Sequence, residues 1–497
     1  MYYSISSTTP FTLTISLKFQ PKQQYQTELF LPTWRPGKYQ QQAFAARIRN
    51  IQAFDQYGKI LPISQSGYSS WIVKHSHQTS SITITYDYVD TQPDAGSHAF
   101  VDDKKLIITP AVCCLYTFEH KDEPIQLQLQ LPKKWQIATS LPFSRNSYHA
   151  QNYHELADSP IIASADMVSF SANVEGLNLN LHFIGKQHFS LPDFFQQLQR
   201  VVSHQITLFG SCPVSNYHFL IASGGNPEFF FHAVEHANSC LLFMDNTTNP
   251  KADMLFQTLH TATHEFFHTW NIKAIRPAEL KEYHYQQPQP FPTCYVAEGL
   301  TTYQTQLMLW QLDIANWSDF YENSFHITTH IYKQNHSNIH HSLAAGSNSM
   351  WLDSFNPSLS FMSNQYIQGM LAWLIVDLEI IRRTNGKYRA VNILTTLWKQ
   401  QQKSGIAYNE EMLIAIANRL TKSNMRYVWK QVFWNSQSLL PLLKKAYQAL
   451  GLRLQQKFAR VGYPQKMKKV YQLSSRVSPT QQQKELFTHW SSLSKHT

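Results

Sequence analysis

The sequence contains no long apolar run. A membrane-spanning helix needs about 20 consecutive apolar residues, whereas the best candidate, Met370 to Val376, is interrupted by Asp377 and then Glu379. The N-terminus also has no basic leader followed by an apolar block, because it enters a strand-like alternation directly. We therefore expect a soluble, cytoplasmic protein that does not bind a membrane.

Cysteine is scarce and scattered. The chain has five cysteines and no Cys-x-x-Cys pair: Cys113, Cys114, Cys212, Cys240 and Cys294. An odd number without paired spacing argues against both a disulfide framework and a zinc site made of thiolates. We interpret the cysteines as reduced and structural.

Acidic residues are nearly missing from the C-terminal end. Residues 457–497 carry eight Lys or Arg against Glu485 alone, so this tail supplies +7 of the formal net charge of +10. The rest of the chain has an ordinary charge balance, which argues against a nucleic-acid-binding surface. We interpret the tail as a solvated segment that could be disordered, with transient contact to an acidic partner as the alternative.

The first third of the chain alternates apolar and polar residues. This period of two is typical of strands with one buried face. The apolar positions are Phe11, Leu13, Ile15, Leu17 and Phe19; Ile82, Ile84, Tyr86 and Tyr88; Ile125, Leu127, Leu129 and Leu131; and Leu177, Leu179, Leu181 and Phe183. The pattern predicts an antiparallel β domain over residues 1–180.

From about residue 190 the apolar residues recur at spacings of three and four, as in amphipathic helices. One helix runs through Met254 to Trp270 and ends before Pro277. Further helices are predicted at Glu298 to Leu312, Asp319 to Lys333, Tyr366 to Arg383, Ala390 to Gln402, Asn409 to Leu420 and Leu440 to Leu450. The fold class is therefore a multidomain α+β protein.

The first of these helices contains His264-Glu265-x-x-His268. Residues four apart on a helix share a face, so His264 and His268 can direct nitrogens to one ion while Glu265 lies beside it. A chain this rich in histidine spells the motif by chance about a few per cent of the time. Glu298, near the start of the next helix, could be a third ligand, and a helix-N-terminal acid stabilised by the helix dipole is the alternative.

Other histidines are weaker candidates. His260 lies eight residues before His268, about 12 Å along a helix, which is too far to share a single metal with the pair. His326, His330, His336, His340 and His341 have no carboxylate among them. We interpret both groups as packing or solvated histidines.

Several longer motifs occur in register along the chain. HEFFHTWNIKAIRP, AEGLTTY, DLEIIRRTNGK, LPTWRPGKY (Leu31 to Tyr39) and ADSPI (Ala157 to Ile161) together resemble the glycyl aminopeptidase family of zinc metallopeptidases, gluzincins related to the aminopeptidase N-like enzymes. The resemblance implies an N-terminal β domain (1–180), a thermolysin-like catalytic domain (181–385) and a helical domain (386–456). About forty residues follow Leu454, too few for the PDZ domain that the family usually carries.

The resemblance also implies roles. His264, His268 and Glu298 would bind one Zn²⁺, although cobalt or manganese could occupy such a site. Glu265 would be the general base that activates water, and Tyr366 in NQYIQG would stabilise the oxyanion. The lysine that the aminopeptidase N-like relatives have two positions after this tyrosine is here Gln368.

The resemblance further implies an anchor for the substrate's free amine. FHAVEHANS (Phe231 to Ser239) aligns with the family's Gly-Gly-Leu-Glu-His segment, so Glu235 and His236 are kept, whereas the two glycines become His232 and Ala233. Side chains at these positions should reshape or narrow the first specificity pocket. We assign Glu235, His236 and Ala233 to substrate binding.

The function that we predict is a zinc aminopeptidase acting on peptides, with small N-terminal residues, glycine or alanine, implied by the resemblance. The alternatives are a peptidase with endopeptidase or altered exopeptidase action, and a non-catalytic zinc-fold protein that binds peptides. The intact His264, Glu265, His268 and Glu298 count against the last. Neither nucleic acid nor membrane is an expected partner, and the sequence does not indicate an oligomeric state.

Overall fold

A computed structural model describes residues 1–224, 231–244, 254–316, 341–356, 361–461, 466–475 and 478–492. The chain forms two compact units. The first contains Met1–Gln196, Val214–Thr269 and Tyr283–Gln289, and the second contains Gln197–Pro213, Trp270–Glu282 and Pro290–Thr497. Within the described ranges, no helix is long and apolar enough to cross a membrane.

The first unit is built mainly from strands. These are β1 Tyr2–Thr9, β2 Thr12–Phe19, β3 Gln26–Phe30, β4 Ile48–Phe54, β5 Ile60–Leu61, β6 Ile63–Gln65, β7 Ser70–Lys74, β8 Ile82–Val89, β9 Phe100–Val101, β10 Lys105–Ile108, β11 Ile125–Gln130, β12 Gln136–Thr139, β13 Phe143–Ser144, β14 Ser147–Ala150, β15 Ile161–Ser164, β16 Val168–Val174, β17 Leu177–Ile184, β18 Asn216–Ser223, β19 Phe231–Glu235 and β20 Ser239–Met244. Its helices are α1 Pro110–Cys113, α2 Tyr153–Ala157, the start of α3 Leu191–Phe209, and α4 Met254–Phe267.

The N-terminal part of this unit confirms the predicted antiparallel-rich β domain. An eight-stranded sheet has the order β13-β14-β11-β1-β2-β8-β4-β5, beside a three-stranded sheet β3-β7-β6 and a four-stranded sheet β12-β15-β10-β9. The alternation predicted for β2 and β8 is buried as expected at Leu13, Ile15 and Ile84. Phe11 is an exception, because it lies in the turn between β1 and β2 with φ +66° and is 41% exposed.

A five-stranded sheet with the order β16-β17-β18-β20-β19 follows. One face of this sheet packs on the four-stranded sheet through a shared apolar cluster that includes Ile107, Ile162, Leu220, Val234 and Leu241. The helix α4 packs against β20 and β19. Because α4 packs against β19, side chains on one face of this strand can line a site beside the helix.

The second unit is mainly helical. Its helices are α5 Thr301–Gln311, α6 Leu343–Ser349, α7 Phe361–Thr384, α8 Val391–Ser404, α9 Glu410–Thr421, α10 Arg426–Trp429, α11 Leu440–Ala449 and α12 Gln481–Ser491, with a π-helical turn at Tyr295–Leu300 before α5. The helices predicted near 366–383, 390–402, 409–420 and 440–450 are confirmed within a few residues. The helix predicted at 319–333 lies outside the described residues, as do His326, His330, His336 and His340.

The local sequence explains several helix ends. The Asn409 side chain accepts a hydrogen bond from the backbone of Met412 at the start of α9, which satisfies an N–H that has no partner inside the helix. At the start of α12, Thr480 and Gln483 form a reciprocal capping box. Such short-range signals are why these helices can be predicted from sequence.

The C-terminal tail is more structured than its composition predicts. Two strands, β21 Leu452–Val461 and β22 Lys466–Ser475, form a hairpin, and α12 follows it. The Trp490 side chain in α12 is fully buried and donates a hydrogen bond to the Tyr303 hydroxyl. In the described part of residues 457–497 the chain thus forms a hairpin and a helix, whereas composition alone indicated a segment that could be disordered.

Candidate active site

The helix α4 carries the HExxH motif as predicted. His264 and His268 lie on one face, with their Nε2 atoms 3.0 Å apart and their rings edge to face. Both side chains are buried, as is Glu265 between them. Two zinc–nitrogen bonds of about 2.05 Å at a tetrahedral angle place the nitrogens about 3.3 Å apart. The histidine pair therefore fits two positions of a zinc coordination sphere.

Two carboxylates lie close to this pair. Glu235, Glu265 and His268 each place a ligand-type atom within 4.8 Å of the others. Glu235 is 5% exposed and Glu265 is 6% exposed. Buried carboxylates beside a histidine pair form a site that can accept a cation or protons, since an isolated buried negative charge is unfavourable.

His260 lies one turn earlier on α4. Burial, together with positive charge at His264, lowers the pKa of His260 to about 4. An imidazole with such a pKa is neutral at physiological pH.

The strand β19 presents different residues on its two faces. Successive side chains in a strand point to opposite sides, so Ala233 and Glu235 share one face and His232 and Val234 share the other. Val234 packs into the core between the two sheets. On that same side, His232 Nε2 lies 3.2 Å from Lys38 Nζ.

Two segments of the β domain hold Glu235 in place. Gly37, in the motif LPTWRPGKY, approaches so closely that a β-carbon there would lie 2.7 Å from Glu235 Oε2. Asp158, in the motif ADSPI, accepts hydrogen bonds from the His236 ring at 3.0 Å and from the backbone N–H of Ala237 at 2.9 Å. Both motifs are among those that resemble the family. In the structure, their residues Gly37 and Asp158 contact the C-terminal end of β19.

Arg35 is a buried cation in the same motif. Its guanidinium donates hydrogen bonds to the backbone carbonyls of Pro36 and Gly96. Burial lowers the pKa of Arg35, and the negative charges of Asp158 and Glu235 oppose this decrease. The positive charge of Arg35 in turn favours the ionised form of these two carboxylates. Arg35 was not predicted from the sequence, although its position in a landmark motif was a usable signal.

Glu298 belongs to the second unit, where it lies in the π-helical turn and is 1% exposed. Asn271 fixes this turn, because its Nδ2 donates to the carbonyls of Val296 and Ala297 and to the Thr301 hydroxyl. Turns of this kind occur often at functional sites. Asn271 is a second residue that was not predicted, and its place inside HEFFHTWNIKAIRP was the only signal.

Tyr366 also belongs to the second unit and is half-buried near the start of α7. One turn further along α7, Gly369 meets Gly299, the neighbour of Glu298. A β-carbon on Gly299 would lie 2.7 Å from the Gly369 α-carbon. This glycine pair brings α7 against the turn that carries Glu298, so Tyr366 and Glu298 lie near one helix crossing.

Comparisons with known proteins agree on the family. The family model of the Peptidase M61 N-terminal domain matches residues 3–165, and that of M61 glycyl aminopeptidase matches residues 257–372. None of the curated protein sequences matches the chain.

Solved structures share the fold. An aminopeptidase N family protein from Idiomarina loihiensis superposes with a TM-score of 0.80 at 22% identity, over 92% of this chain and 79% of that chain. A mutant M1 zinc metallopeptidase from Deinococcus radiodurans, bound to a Tyr-Ser-Ala substrate, gives a TM-score of 0.52 at 14% identity, over 88% and 94% of the two chains. Since two family models of one family together match more than half of its residues, the chain is a metallo-aminopeptidase of the M61 glycyl aminopeptidase family.

Proposed function

We propose that this protein is a zinc aminopeptidase that releases single small residues, glycine or alanine, from the N-termini of peptides. One observation carries the proposal. Glu235, Glu265 and His268 converge within 4.8 Å, and His264 Nε2 lies 3.0 Å from His268 Nε2. This cluster combines a nitrogen pair suited to a metal with one carboxylate for proton transfer and one for binding an amine.

His264, His268 and Glu298 are the proposed metal ligands, and each offers a ligand atom of a type that zinc prefers. Glu298 is chosen because it lies in AEGLTTY, one of the motifs that resemble the family. A bound zinc ion would supply Lewis acidity, lowering the pKa of a water molecule and polarising the scissile carbonyl.

Glu265 is the proposed general base. Its carboxylate is buried beside His268 and belongs to no ligand set in the proposal, so its role can be to take a proton from the attacking water. The same carboxyl group then returns this proton to the leaving amine.

Tyr366 is proposed to donate its hydroxyl hydrogen to the oxyanion that forms on the carbonyl. Its position one turn before the Gly369–Gly299 contact supports this role, because that contact fixes α7 relative to Glu298. A hydrogen-bond donor that is held in place before reaction contributes most where charge develops in the transition state.

Glu235 is proposed to bind the α-amino group of the substrate. Gly37 lies against its carboxylate, and the nearby charge of Arg35 favours its ionised form. Ala233 lies on the same face of β19 and is proposed to border the first side chain of the substrate. His236, bonded to Asp158, fixes the end of the strand.

The test is hydrolysis of a panel of aminoacyl-nitroanilides, free and N-acetylated, by protein with one equivalent of zinc and by the chelated form. We expect zinc-dependent cleavage of the free glycyl and alanyl substrates only. Cleavage of the acetylated substrates would remove Glu235 from the amine site, and zinc binding without any cleavage would contradict the proposed reaction.

A further inference from the structure

The family has a glycine where this chain has His232, and the sequence predicts that the larger side chain narrows the substrate pocket. The alternation of side chains along β19 indicates instead that His232 does not face the pocket. His232 lies on the face of β19 opposite to Ala233 and Glu235, together with the core residue Val234. Its side chain therefore points away from the proposed amine site.

On that side, His232 lies between two opposite charges. Its Nε2 is 3.2 Å from Lys38 Nζ, and its Nδ1 is 3.5 Å from Asp94 Oδ2, a distance longer than an ordinary hydrogen bond. Gly96 lies against the ring, since a β-carbon there would stand 2.8 Å from His232 Cε1. The imidazole thus connects the Lys38 ammonium group to the Asp94 carboxylate.

Asp94 is a fixed end of this chain of contacts. Its Oδ1 accepts hydrogen bonds from the backbone N–H groups of Gly96, Ser97 and His98 at 2.7, 2.7 and 3.1 Å. Burial alone would raise the pKa of Asp94, but interactions with His232, and with His98 and Lys38, lower it well below its ordinary value. Asp94 is therefore a negative charge that three backbone hydrogen bonds fix to its own loop.

The imidazole acts as a neutral bridge at physiological pH. Burial lowers the pKa of His232, and the Lys38 charge lowers it further, against the opposing effect of Asp94. In the neutral ring, Nε2 accepts a hydrogen from Lys38 and Nδ1 carries the proton, 3.5 Å from Asp94 Oδ2. This tautomer places the acceptor nitrogen beside the Lys38 ammonium group and the donor nitrogen on the side of the Asp94 carboxylate.

Lys38 connects the bridge to the amine site. It follows Gly37 directly, and Gly37 is the residue that contacts both Val234 and Glu235. Any force that holds Lys38 on His232 also holds the Arg35–Lys38 turn against the Glu235 carboxylate. Without that force, the turn and the carboxylate would gain freedom to move.

We propose that His232 is a positioning residue, which clamps the Arg35–Lys38 turn onto Glu235 by bridging Lys38 and Asp94. This inference rests on the proposed aminopeptidase function and replaces the idea that His232 narrows the pocket. The residue that borders the substrate from β19 is then Ala233. The two interpretations predict opposite effects when the His232 side chain is removed.

The experiment compares two variants of similar size in the full-length zinc-loaded protein. His232→Gln keeps one acceptor and one donor, whereas His232→Leu keeps neither. For free alanyl-nitroanilide we expect His232→Leu to raise KM about tenfold, the effect of losing one charge-assisted contact, with kcat changed less than about twofold. His232→Gln should retain a KM near that of the unaltered protein.

A double-mutant cycle with Lys38→Met tests the bridge itself. If the two residues act through one contact, the His232→Leu/Lys38→Met double variant is no worse in KM than either single variant. Additive effects would overturn the proposed bridge. Faster cleavage of bulky N-terminal residues by His232→Leu, with unchanged KM for alanine, would overturn the clamp and restore the pocket-wall interpretation.

A second readout does not depend on catalysis. Hydrogen exchange of the backbone amides in residues 35–39 should be faster in His232→Leu than in His232→Gln, while exchange in β8 stays unchanged. Equal exchange in the two variants would overturn the clamp. If the unaltered protein cleaved no free substrate, the proposed function would fail and the exchange data would still decide for or against the clamp.

Discussion

Gly37 lies against Glu235 so tightly that a β-carbon at residue 37 would stand 2.7 Å from the Glu235 carboxylate oxygen and 2.5 Å from a Val234 methyl carbon. Gly37 also has φ +74°, a conformation that other residues adopt at a cost. A turn of the N-terminal β domain thus reaches the proposed amine-binding residue. The contact makes the β domain part of the site rather than a separate module.

Gly37→Ala should weaken substrate binding. The added methyl group must displace the Glu235 carboxylate or the turn, so we expect KM for free aminoacyl substrates to rise at least about tenfold. Gly58→Ala is the matched control, because Gly58 has φ +79° and a β-carbon placed on it would have nothing within 4 Å. Both variants carry the conformational cost of about 1 kcal/mol, and only the first should change KM. Equal kinetics in the two variants would argue against a positioned Glu235.

Glu265→Gln should separate metal binding from turnover. The amide cannot take a proton from water, so we expect kcat to fall by at least about a hundredfold while the zinc content stays near one equivalent. His264→Ala should lose both the metal and activity. Zinc content by atomic absorption and nitroanilide hydrolysis measure the two properties. An active Glu265→Gln protein would contradict the proposed mechanism.

Gly299→Ala should lower activity by pushing α7 away from the π-helical turn that carries Glu298. The methyl group would lie 2.7 Å from Gly369 Cα and 3.0 Å from the Gln365 carbonyl oxygen, both in the backbone of α7, so the helix must move. We expect a loss of kcat of about tenfold or more as Tyr366 leaves its position. Tyr366→Phe in the same background should then cost little more, because the hydroxyl is already misplaced. Fully additive losses would show that Gly299 does not act through Tyr366.

Trp490→Ala should destabilise the second unit. The side chain is fully buried and contacts the ring of Trp310 at a centroid distance of 5.3 Å, so truncation should cost about 3–5 kcal/mol. Trp490→Phe keeps most of the packing and loses the N–H donor to Tyr303, for a cost of about 1 kcal/mol. Urea unfolding measures both, with Tyr427→Ala, at a side chain that is 70% exposed, as the control. A stability of Trp490→Ala equal to that of the control would mean that α12 does not support the unit.

Much of the site could be predicted from the sequence because the signals are local. A four-residue spacing on an amphipathic helix fixes which side chains share a face, so the pairing of His264 with His268 follows from the motif alone. Strand alternation predicted the buried faces of β2, β8 and β17 for the same reason. The cap that Asn409 provides at the start of α9 is equally local, since its side chain bonds to the backbone of Met412 three residues later.

The sequence by itself determined that His264 and His268 share one face of a helix with Glu265 next to them, and it indicated most of the strands and helices around them. Only the tertiary structure decided that Gly37 and Asp158 hold the Glu235 strand, that His232 faces Lys38 and Asp94, and that the tail packs through Trp490. Lys38 and His232 are 194 positions apart, and no local pattern encodes a contact at that separation. Such contacts arise when sheets and helices pack, because burial selects which distant side chains meet.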